Sequence, residues 1–287
     1  MKILFWNIGN VLSERKIELI TESISIEHPD IFCIAEGSYS RIDCQRIVDK
    51  LIEQEYICYY SPLFCDKDEL QLNYKYVSNG LKIFIKVNIN PIESFSFSSQ
   101  RKDGRIVALK TFINYRATTL IFLHNTSKSG NREVTDDQRD FISSLGTMID
   151  FANIGIDTER IIIIGDFNLE PWDNILRHKK YIESSFFYKQ NSLYQRKNNS
   201  SRFYFNPSPE IIFQSKIENL GGTFYTDNSG WALFDYVLYN TKDSVVIYDV
   251  ITEFAGGSKL LNYDNSIRSS FINDDLDHLP IITKINN

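Results

Sequence analysis

The chain lacks the features that would place it in a membrane or in an oxidising compartment. No apolar run approaches the ~20 residues of a membrane span, and the apolar opening Met1–Asn7 is too short for a signal peptide. Only four cysteines occur, all in the first quarter of the chain, and no pair has Cys-x-x-Cys spacing. We therefore predict reduced thiols in a cytoplasmic protein, with Cys33 as a core residue within an apolar run.

An excess of positive charge is also missing. The 287 residues include 31 Lys and Arg against 37 Asp and Glu, so the net charge is -6. A field of this sign repels polyanions, so a phosphate-rich partner must be bound by a local patch or through a metal ion. This balance argues against a general DNA-coating protein and leaves a metal-dependent nuclease open.

One segment departs from this acidic average. Leu176–Arg202 carries seven basic residues against the single acid Glu183, and aromatic residues are interleaved with them up to Phe203-Tyr204-Phe205. Basic and aromatic residues together are typical of a surface that binds a nucleic-acid strand. The alternative is a long solvated loop whose aromatic residues pack on a sheet, and both interpretations stay open.

The hydrophobic pattern mixes strands and helices, with strands in the majority. Successive strands without a helix between Gly80 and His124 indicate antiparallel hairpins, so a purely parallel sheet is excluded. Two sheets packed face to face with helices outside fit this pattern. With no linker rich in proline, glycine or serine, we predict a single domain over residues 1–287. The predicted strands are Lys2–Ile8, Ile31–Ala35, Tyr56–Tyr60, Gly80–Val87, Arg105–Ile113, Thr118–His124, Arg160–Ile164, Thr223–Tyr225, Leu233–Tyr239, Val245–Thr252 and Leu279–Ile285.

Three helices are predicted from capping residues and helical spacing. Ser13 caps the first helix, and His28-Pro29-Asp30 ends it. The second spans Arg41–Gln54. Thr135 caps the third, which continues to about Asn153.

Two short acidic motifs lie beside strongly apolar runs. Arg160–Ile164 leads through Gly165 into Asp166-Phe167-Asn168, and Asp277-His278 precedes the last strand. Asp166 and Asn168 are two residues apart, so in an extended chain both side chains would point into one cleft. Carboxylate, amide and imidazole groups at strand ends can hold a hard divalent cation and move protons beside it.

Other polar residues follow predicted strands. Glu36 comes after the second strand, where a carboxylate is costly unless it binds something. Asn7 ends the first strand; its amide binds without adding charge, although the same residue would suit a turn. His278 has Asp277 beside it and Asp235 as a distant partner. An Asp that accepts from one ring nitrogen fixes the tautomer and supports the imidazolium.

Six short stretches carry a resemblance that extends across nearly the whole chain. They are Trp6-Asn7-Ile8, Ala35-Glu36-Gly37, Leu123-His124-Asn125, Gly165-Asp166-Phe167-Asn168, Phe234-Asp235-Tyr236-Val237-Leu238 and Asp277-His278-Leu279-Pro280. In this order they resemble the endonuclease/exonuclease/phosphatase superfamily. The resemblance implies an α/β fold, a four-layer α/β/β/α sandwich of two packed mixed sheets with helices outside, and metal-dependent phosphoester hydrolysis. The stretch Gly221–Tyr225 followed by Trp231 is similar to a group of bacterial members.

The resemblance also implies roles for residues of this chain. Glu36 would be the principal metal ligand, with Asn7 or Asp277 beside it. Mg²⁺, with Mn²⁺ as a substitute, suits oxygen and amide ligands without thiolates. Asn7 and Arg105 would bind the phosphate, although an exposed position at a strand edge stays open for Arg105. The implied catalytic residues are His278, Asp166, Asp235, His124 and Asn168.

The same resemblance bears on the substrate. Apurinic endonucleases of the superfamily have Tyr where this chain has His124, which argues against abasic-site repair. Leu276 stands where the family commonly has Ser, so a hydroxyl is lost but no catalytic group. We expect a divalent-metal-dependent phosphodiester hydrolase, namely a nuclease cleaving DNA or RNA by in-line water attack. The alternatives are a phosphatase or phosphodiesterase acting on a small or lipid phosphate, and a degenerate binding module; the oligomeric state is left open.

Overall fold

Three α-helices and fifteen β-strands lie in the part of the chain that a computed structural model describes. The described residues are 1–9, 13–36, 41–60, 80–89, 93–96, 104–127, 133–152, 160–178, 180–187, 203–209, 220–226, 229–240, 246–253, 259–261 and 276–286. Within them, no helix has the length and apolar character needed to cross a membrane.

The order of the elements alternates helices and strands early in the chain and is almost all strand later. The helices are α1 (Glu14–Glu27), α2 (Arg41–Ile52) and α3 (Asp136–Ala152), with a short 3₁₀ helix at Asn174–Arg177. The strands are β1 (Lys2–Asn7), β2 (Ile31–Ala35), β3 (Tyr56–Tyr60), β4 (Lys82–Lys86), β5 (Glu93–Ser96), β6 (Ile106–Ile113), β7 (Arg116–His124), β8 (Arg160–Asp166), β9 (Glu183–Ser185), β10 (Phe203–Phe205), β11 (Phe224–Thr226), β12 (Gly230–Ala232), β13 (Asp235–Tyr239), β14 (Val246–Val250) and β15 (Ile281–Ile285).

Two mixed sheets form the centre of the molecule. One has six strands in the order β14-β15-β1-β2-β4-β3, and the other has seven in the order β5-β6-β7-β8-β13-β10-β9. The sheets face each other through contacts of β1 with β8, β2 with β7 and β13 with β15. Helices α1 and α2 contact each other, α2 contacts β3, and α3 contacts β6. The predicted four-layer α/β/β/α sandwich is confirmed.

The most apolar strands lie in the middle of these sheets. Every residue of β2 and β8 is buried, as is all of β1 after Lys2. The pairs β1–β2 and β7–β8 are parallel, and α1 and α3 are the crossover helices between them. Strands buried on both faces are continuous apolar runs without alternation, which makes them visible in the sequence.

The helix boundaries follow from the predicted caps. The Ser13 hydroxyl accepts from the backbone N–H of Lys16 at 3.2 Å, and His28 ends α1 in the left-handed conformation with φ 46°. At α3, Thr135 Oγ1 accepts from Gln138 N at 3.2 Å, while Thr135 N donates back to Gln138 Oε1 at 3.1 Å. This reciprocal capping box satisfies two backbone donors at the start of α3.

Of the strands predicted between Gly80 and His124, β6 and β7 form the expected antiparallel hairpin, whereas β4 pairs with β2 and β3 in the other sheet. The short strands β5, β9, β10 and β12 were not predicted. Part of the basic and aromatic segment Leu176–Arg202, residues 179 and 188–202, lies outside the described residues. The aromatic residues that follow it, Phe203–Phe205, form β10 and are buried, so they belong to the core and cannot stack on a ligand.

Candidate active site

The predicted site residues come together where the central strands end. Asn7 is the last residue of β1, and Glu36 follows β2 directly. In the facing sheet, His124 ends β7 and pairs in register with Asp166 at the end of β8. Asp235, the first residue of β13, is also opposite Asp166 in register. The C-terminal ends of parallel strands meet at one edge of a sheet, so two sheets deliver these groups to one rim.

Glycine at position 165 makes the approach of β7 and β8 possible. A Cβ atom on Gly165 would lie 2.0 Å from the carbonyl oxygen of Leu123, which no side chain tolerates. Leu123 and Gly165 are register partners, and the next pair along the two strands is His124 and Asp166. Gly165 therefore allows β7 and β8 to approach more closely than a side chain would permit, one residue before His124 and Asp166.

Asp166 is the buried centre of the cluster. Its Oδ2 atom accepts hydrogen bonds from the side-chain amides of Asn7 and Asn168, both at 2.9 Å, and lies 3.8 Å from His124 Nε2. Its Oδ1 atom accepts from the Asn168 backbone N–H at 2.8 Å. Burial, and next the charge of Asp235, raise the pKa of this carboxyl group above its ordinary value.

Asn168 reaches Asp166 by a different route from the one predicted. Strand β8 ends at Asp166, and Asn168 has left-handed backbone with φ 47°, so the chain is not extended between them. A tight turn closed by the Asp166 side chain brings the two groups together. Asn168 Nδ2 also donates to the Asn125 carbonyl at 3.1 Å, and Gln138 Nε2 donates to the Asn168 carbonyl at 2.9 Å. The shared cleft was predicted correctly, but the extended-chain reason was wrong.

Asn7 contributes to both the cluster and a turn. Its Nδ2 atom, which donates to Asp166, lies 3.5 Å from His278 Nε2. Its Oδ1 atom accepts from the Gly9 backbone N–H at 3.1 Å. The turn interpretation is confirmed, and the same amide also donates to the cluster, because its donor and its acceptor point in different directions.

His278 is held by Asp235. The distance from His278 Nδ1 to Asp235 Oδ2 is 2.7 Å, and both side chains are buried. His278 Nε2 lies 3.9 Å from Asp166 Oδ2 and 3.9 Å from Asp277 Oδ1. Burial lowers the pKa of this imidazole, but the charges of the three aspartates and the hydrogen bond to Asp235 outweigh burial and raise the pKa well above its ordinary value.

Thr223, which the sequence analysis did not single out, connects the two strands that carry this pair. Its Oγ1 atom accepts from the backbone N–H of Asp235 at 2.9 Å, and its carbonyl accepts from Leu279 N at 2.7 Å. A Cβ atom on Gly222 would lie 2.1 Å from the Ala232 carbonyl oxygen, so the chain before Thr223 needs glycine to approach β12. The signal in the sequence was the Gly-Gly-Thr stretch itself.

Glu36 completes the acidic group from the six-stranded sheet. Its backbone is left-handed, with φ 62°, and its Oε1 atom lies 3.1 Å from His124 Nε2. Burial raises the pKa of Glu36, but the hydrogen bond and charge of His124, then the charge of His278, outweigh burial and lower the pKa to about 2. Glu36 is therefore a carboxylate at any physiological pH.

Arg105 places a positive charge beside these acids. Its Nη1 atom donates to the Asn125 carbonyl at 3.3 Å, and its side chain is half-buried, not exposed at the strand edge. Burial lowers the pKa of the guanidinium, while the charges of Glu36 and Asp166 oppose that change. The structure thus brings every predicted site residue into one cluster.

Comparison with known proteins identifies the fold. No protein-family model matches the chain, and no curated protein matches its sequence. Solved structures match over its full length. An endonuclease/exonuclease/phosphatase family protein from Leptotrichia buccalis is 18% identical with a TM-score of 0.59, covering 100% of both chains. A mannosyl-6-phosphatase from Bacteroides thetaiotaomicron (12%, 0.61) and an AP endonuclease from Archaeoglobus fulgidus (13%, 0.60) also match over 100% of both chains.

The chain has the endonuclease/exonuclease/phosphatase fold. The resemblance drawn from six short stretches is thereby confirmed as a likeness of structure. At these identities, the endonuclease/exonuclease/phosphatase fold by itself does not choose among substrates, because one scaffold hosts several activities.

The residues at the rim of this fold suit a hard divalent cation. Ligand atoms of Asp166, Asp235 and His278 all lie within 4.8 Å of one another. These three are engaged with each other and with amide donors, whereas Glu36 and Asp277 have side chains 21% and 32% exposed. Among the described residues, the buried Oδ1 atom of Asp235 finds no hydrogen-bond partner, and carboxylates outnumber cationic groups in the cluster. An added cation would offset this negative charge, and oxygen ligands favour Mg²⁺ or Mn²⁺.

Proposed function

We propose that the chain is a divalent-metal-dependent phosphodiester hydrolase and that its substrate is a polynucleotide, DNA or RNA. One observation carries the proposal. The Asp235–His278 pair, the buried Asp166 carboxylate and the amides of Asn7 and Asn168 converge at one rim of the sandwich. An imidazole, a carboxylate and neutral amide donors are the groups that in-line attack of water on a phosphodiester requires.

Glu36 and Asp277 are the residues proposed to hold the cation, with Asn7 beside Glu36. Both carboxylates are partly exposed, and the low pKa of Glu36 keeps it charged. When bound, Mg²⁺, or Mn²⁺ in its place, would neutralise the charge that develops on the phosphate.

The different surroundings of His278 and Asp166 indicate which group would carry a proton and which would accept one. The raised pKa of His278 favours an imidazolium, which would stabilise negative charge on the phosphate through Nε2. The raised pKa of Asp166 makes it a better base than an ordinary carboxylate, so Asp166 would take the proton of the attacking water. This arrangement favours Asp166, and not His278, as the base.

Two of the remaining polar groups are proposed to bind the phosphate. His124 and Arg105 are the donors proposed to contact the phosphate directly. Asn168, whose amide already donates to Asp166 and to the Asn125 carbonyl, would hold Asp166 in place beside the phosphate. Donors held in position before the reaction stabilise developing charge without the cost of reorganising them.

A polynucleotide substrate is supported by exposed groups in the segment that follows the site turn. Trp172 follows the Asp166–Asn168 turn and is exposed, as are Arg177, Lys180 and Phe187 further along. Exposed aromatic rings and cations can bind successive bases and phosphates. This support is limited to described residues, because residues 188–202 lie outside them.

A phosphatase or phosphodiesterase acting on a small or lipid phosphate is the second candidate. The net charge of -6 disfavours a long polyanion, and His124 stands where apurinic endonucleases have Tyr. The similar structures include a mannosyl-6-phosphatase as well as an AP endonuclease. The overall charge is the observation that favours this candidate.

Hydrolysis of a substrate panel tests the proposal. Single- and double-stranded DNA, RNA, bis-p-nitrophenyl phosphate and inositol phosphates would be incubated with Mg²⁺ or Mn²⁺. Wild type would be compared with Glu36→Ala and His278→Ala, and with Glu53→Ala as an exposed control after α2. We expect polynucleotide cleavage that both site substitutions abolish and the control retains.

The outcomes separate the two candidates. A nuclease should lose activity steeply as salt rises, because bound phosphates release counterions, whereas hydrolysis of a small ester should change little. Activity on small phosphates alone would favour the second candidate. Absence of metal-dependent hydrolysis across the whole panel would contradict both.

A further inference from the structure

Two buried lysines lie behind the site, and the proposed mechanism uses neither. Lys16 on α1 is 1% exposed and Lys82 at the start of β4 is 2% exposed. An ammonium group is costly to remove from water unless its N–H groups find acceptors and its charge has a purpose. The acceptors of these two lysines therefore indicate what the lysines do.

Lys82 binds the backbone of the proposed metal ligand. Its Nζ atom donates to the Glu36 carbonyl oxygen and, at 3.1 Å, to the Gly80 carbonyl. Lys82 lies on β4, the strand next to β2, where it pairs in register with Ile34. Ile34 precedes Glu36 by two residues. Glu36 has φ 62°, a conformation that is unfavourable for a non-glycine residue and persists only where its surroundings hold it. The ammonium group is one such contact.

Lys16 makes the equivalent contact on the neighbouring strand. Its Nζ atom donates to the Ile8 carbonyl at 2.5 Å, and Ile8 follows Asn7 directly. The Ile8 backbone N–H donates to the Ala35 carbonyl at 3.2 Å, which extends the β1–β2 pairing by one residue.

The two contacts share one geometry. β1 and β2 are parallel neighbours, and each leaves the sheet at a site residue. A lysine from a different element then binds the carbonyl just past each strand end. Water or a neutral donor would be enough to satisfy the carbonyls of Ile8 and Glu36. Two buried ammonium groups at these neighbouring positions therefore indicate a further role.

We propose that Lys16 and Lys82 are positioning residues that hold the exit peptides of β1 and β2 and so aim Asn7 and Glu36 at the cation. This inference rests on the proposed function, since it takes Glu36 as a metal ligand. Neither ammonium contacts the reacting groups, so both act through the backbone.

Metal affinity distinguishes positioning from simple electrostatics. A positive charge near a cation site repels the cation, so if Lys82 acted only through its charge, Lys82→Met would bind Mn²⁺ more tightly. If Lys82 positions Glu36, Lys82→Met should bind Mn²⁺ about 10–100-fold more weakly, the usual loss when a group that orients a metal ligand is removed. The two explanations predict opposite changes in the Mn²⁺ affinity of Lys82→Met.

The experiment measures Mn²⁺ binding by isothermal titration calorimetry on the full chain. Lys82→Arg, which keeps N–H donors, should recover part of the affinity, and Lys16→Met should lose less than Lys82→Met because Asn7 carries no charge. Lys86→Met is the matched control: it lies on the same strand, and its Nζ atom donates to the His28 carbonyl at 3.2 Å, beyond the other end of β2. Thermal melting checks folding, and Lys82→Gln replaces Lys82→Met if the latter does not fold.

Each outcome decides a separate point. Weakened binding in Lys82→Met with unchanged binding in Lys86→Met supports the inference. Equal or tighter binding in a folded Lys82→Met overturns the inference and leaves the proposed function standing. A folded wild type that binds no Mn²⁺ overturns the metal site of the proposed function, and the inference with it.

Discussion

The two ends of β8 both bury a charged side chain, but in different ways. At the start, the Arg160 guanidinium donates from Nε to Thr118 Oγ1 at 3.0 Å and from Nη2 to the Ile113 carbonyl. Both of these acceptors are uncharged. At the end, Asp166 receives amide donors but also faces the like charge of Asp235, and its pKa is raised.

This difference shows which buried charge indicates function. Thr118 and Ile113, which accept hydrogen bonds from Arg160, lie on β7 and at the end of β6, the strands that already build the sheet. Asp166 is surrounded by groups from β1, β7, β13 and the segment before β15, and the group from β13 is another acid, Asp235. Like charges brought together from separate elements are costly, and such a cluster is a candidate for binding or catalysis.

The sharpest test of this comparison is activity. Asp166→Asn should lower hydrolysis by about 10²–10⁴-fold, because the proposed base is lost. Arg160→Met should leave the rate per folded molecule unchanged. Initial rates on the best substrate of the panel, normalised to folded protein, measure both. A rate loss shared equally by the two variants would remove the functional distinction between the two ends of β8.

A second test adds the cation. We assume that a bound cation offsets the negative charge around Asp166 in the folded protein. Mn²⁺ at about 100 times its Kd should then raise the free energy of unfolding by about 2.7 kcal/mol. Denaturant unfolding with and without Mn²⁺ measures this. Arg160→Met should keep the full increment and Glu36→Gln should lose it. An increment that persists in Glu36→Gln would show that the ion binds elsewhere.

The third test measures stability in place of activity, and here Arg160 is the residue expected to matter. Arg160→Met leaves Thr118 Oγ1 and the Ile113 carbonyl without their buried donor, so the free energy of unfolding should fall by about 1–3 kcal/mol. Exposed Arg139→Met, on α3, is the matched control and should change it by less than about 0.5 kcal/mol. If the two variants are equally stable, Arg160 is not the structural charge inferred here.

The smallest expected effect is a pH dependence of stability in metal-free protein. The pKa of His278 is raised in the folded state, so its contribution is complete below the ordinary pKa of 6.5 and is lost as pH rises through the folded pKa. Glu36, with its pKa lowered to about 2, contributes above about 4.5 and loses that contribution as pH falls towards 2. One proton corresponds to a slope of at most about 1.4 kcal/mol per pH unit.

Asp235→Asn separates the His278 contribution from the rest. Removing the Asp235 charge should lower the pKa of His278 and flatten the fall in stability above pH 6.5, while the acidic limb set by Glu36 should remain. Unfolding free energies at a series of pH values check this. An unchanged slope above pH 6.5 in Asp235→Asn would contradict the assigned cause.

Local patterns predicted much of the fold. The bounds of β2 and β3 were predicted correctly, and the caps at Ser13 and Thr135 begin α1 and α3 as expected. Apolar runs and side-chain caps act over a few residues, so they are visible without a partner. The short strands β9 and β10 were missed because three residues carry too little pattern and are defined by the strands they pair with. The single-domain prediction stays a prediction.

For the site, the amino-acid sequence by itself determined which chemical groups stand at strand ends, from Asn7 to His278. The tertiary structure decided how these groups are held. The means are the left-handed turn at Asn168, the hydrogen bond that Asp235 N donates to Thr223 Oγ1, and the bond from Lys82 to the Glu36 carbonyl. The physical reason is that the amino-acid type at each position gives the chemical groups of its side chain. A hydrogen bond to a backbone carbonyl depends only on where the chain runs, because every residue offers the same acceptor.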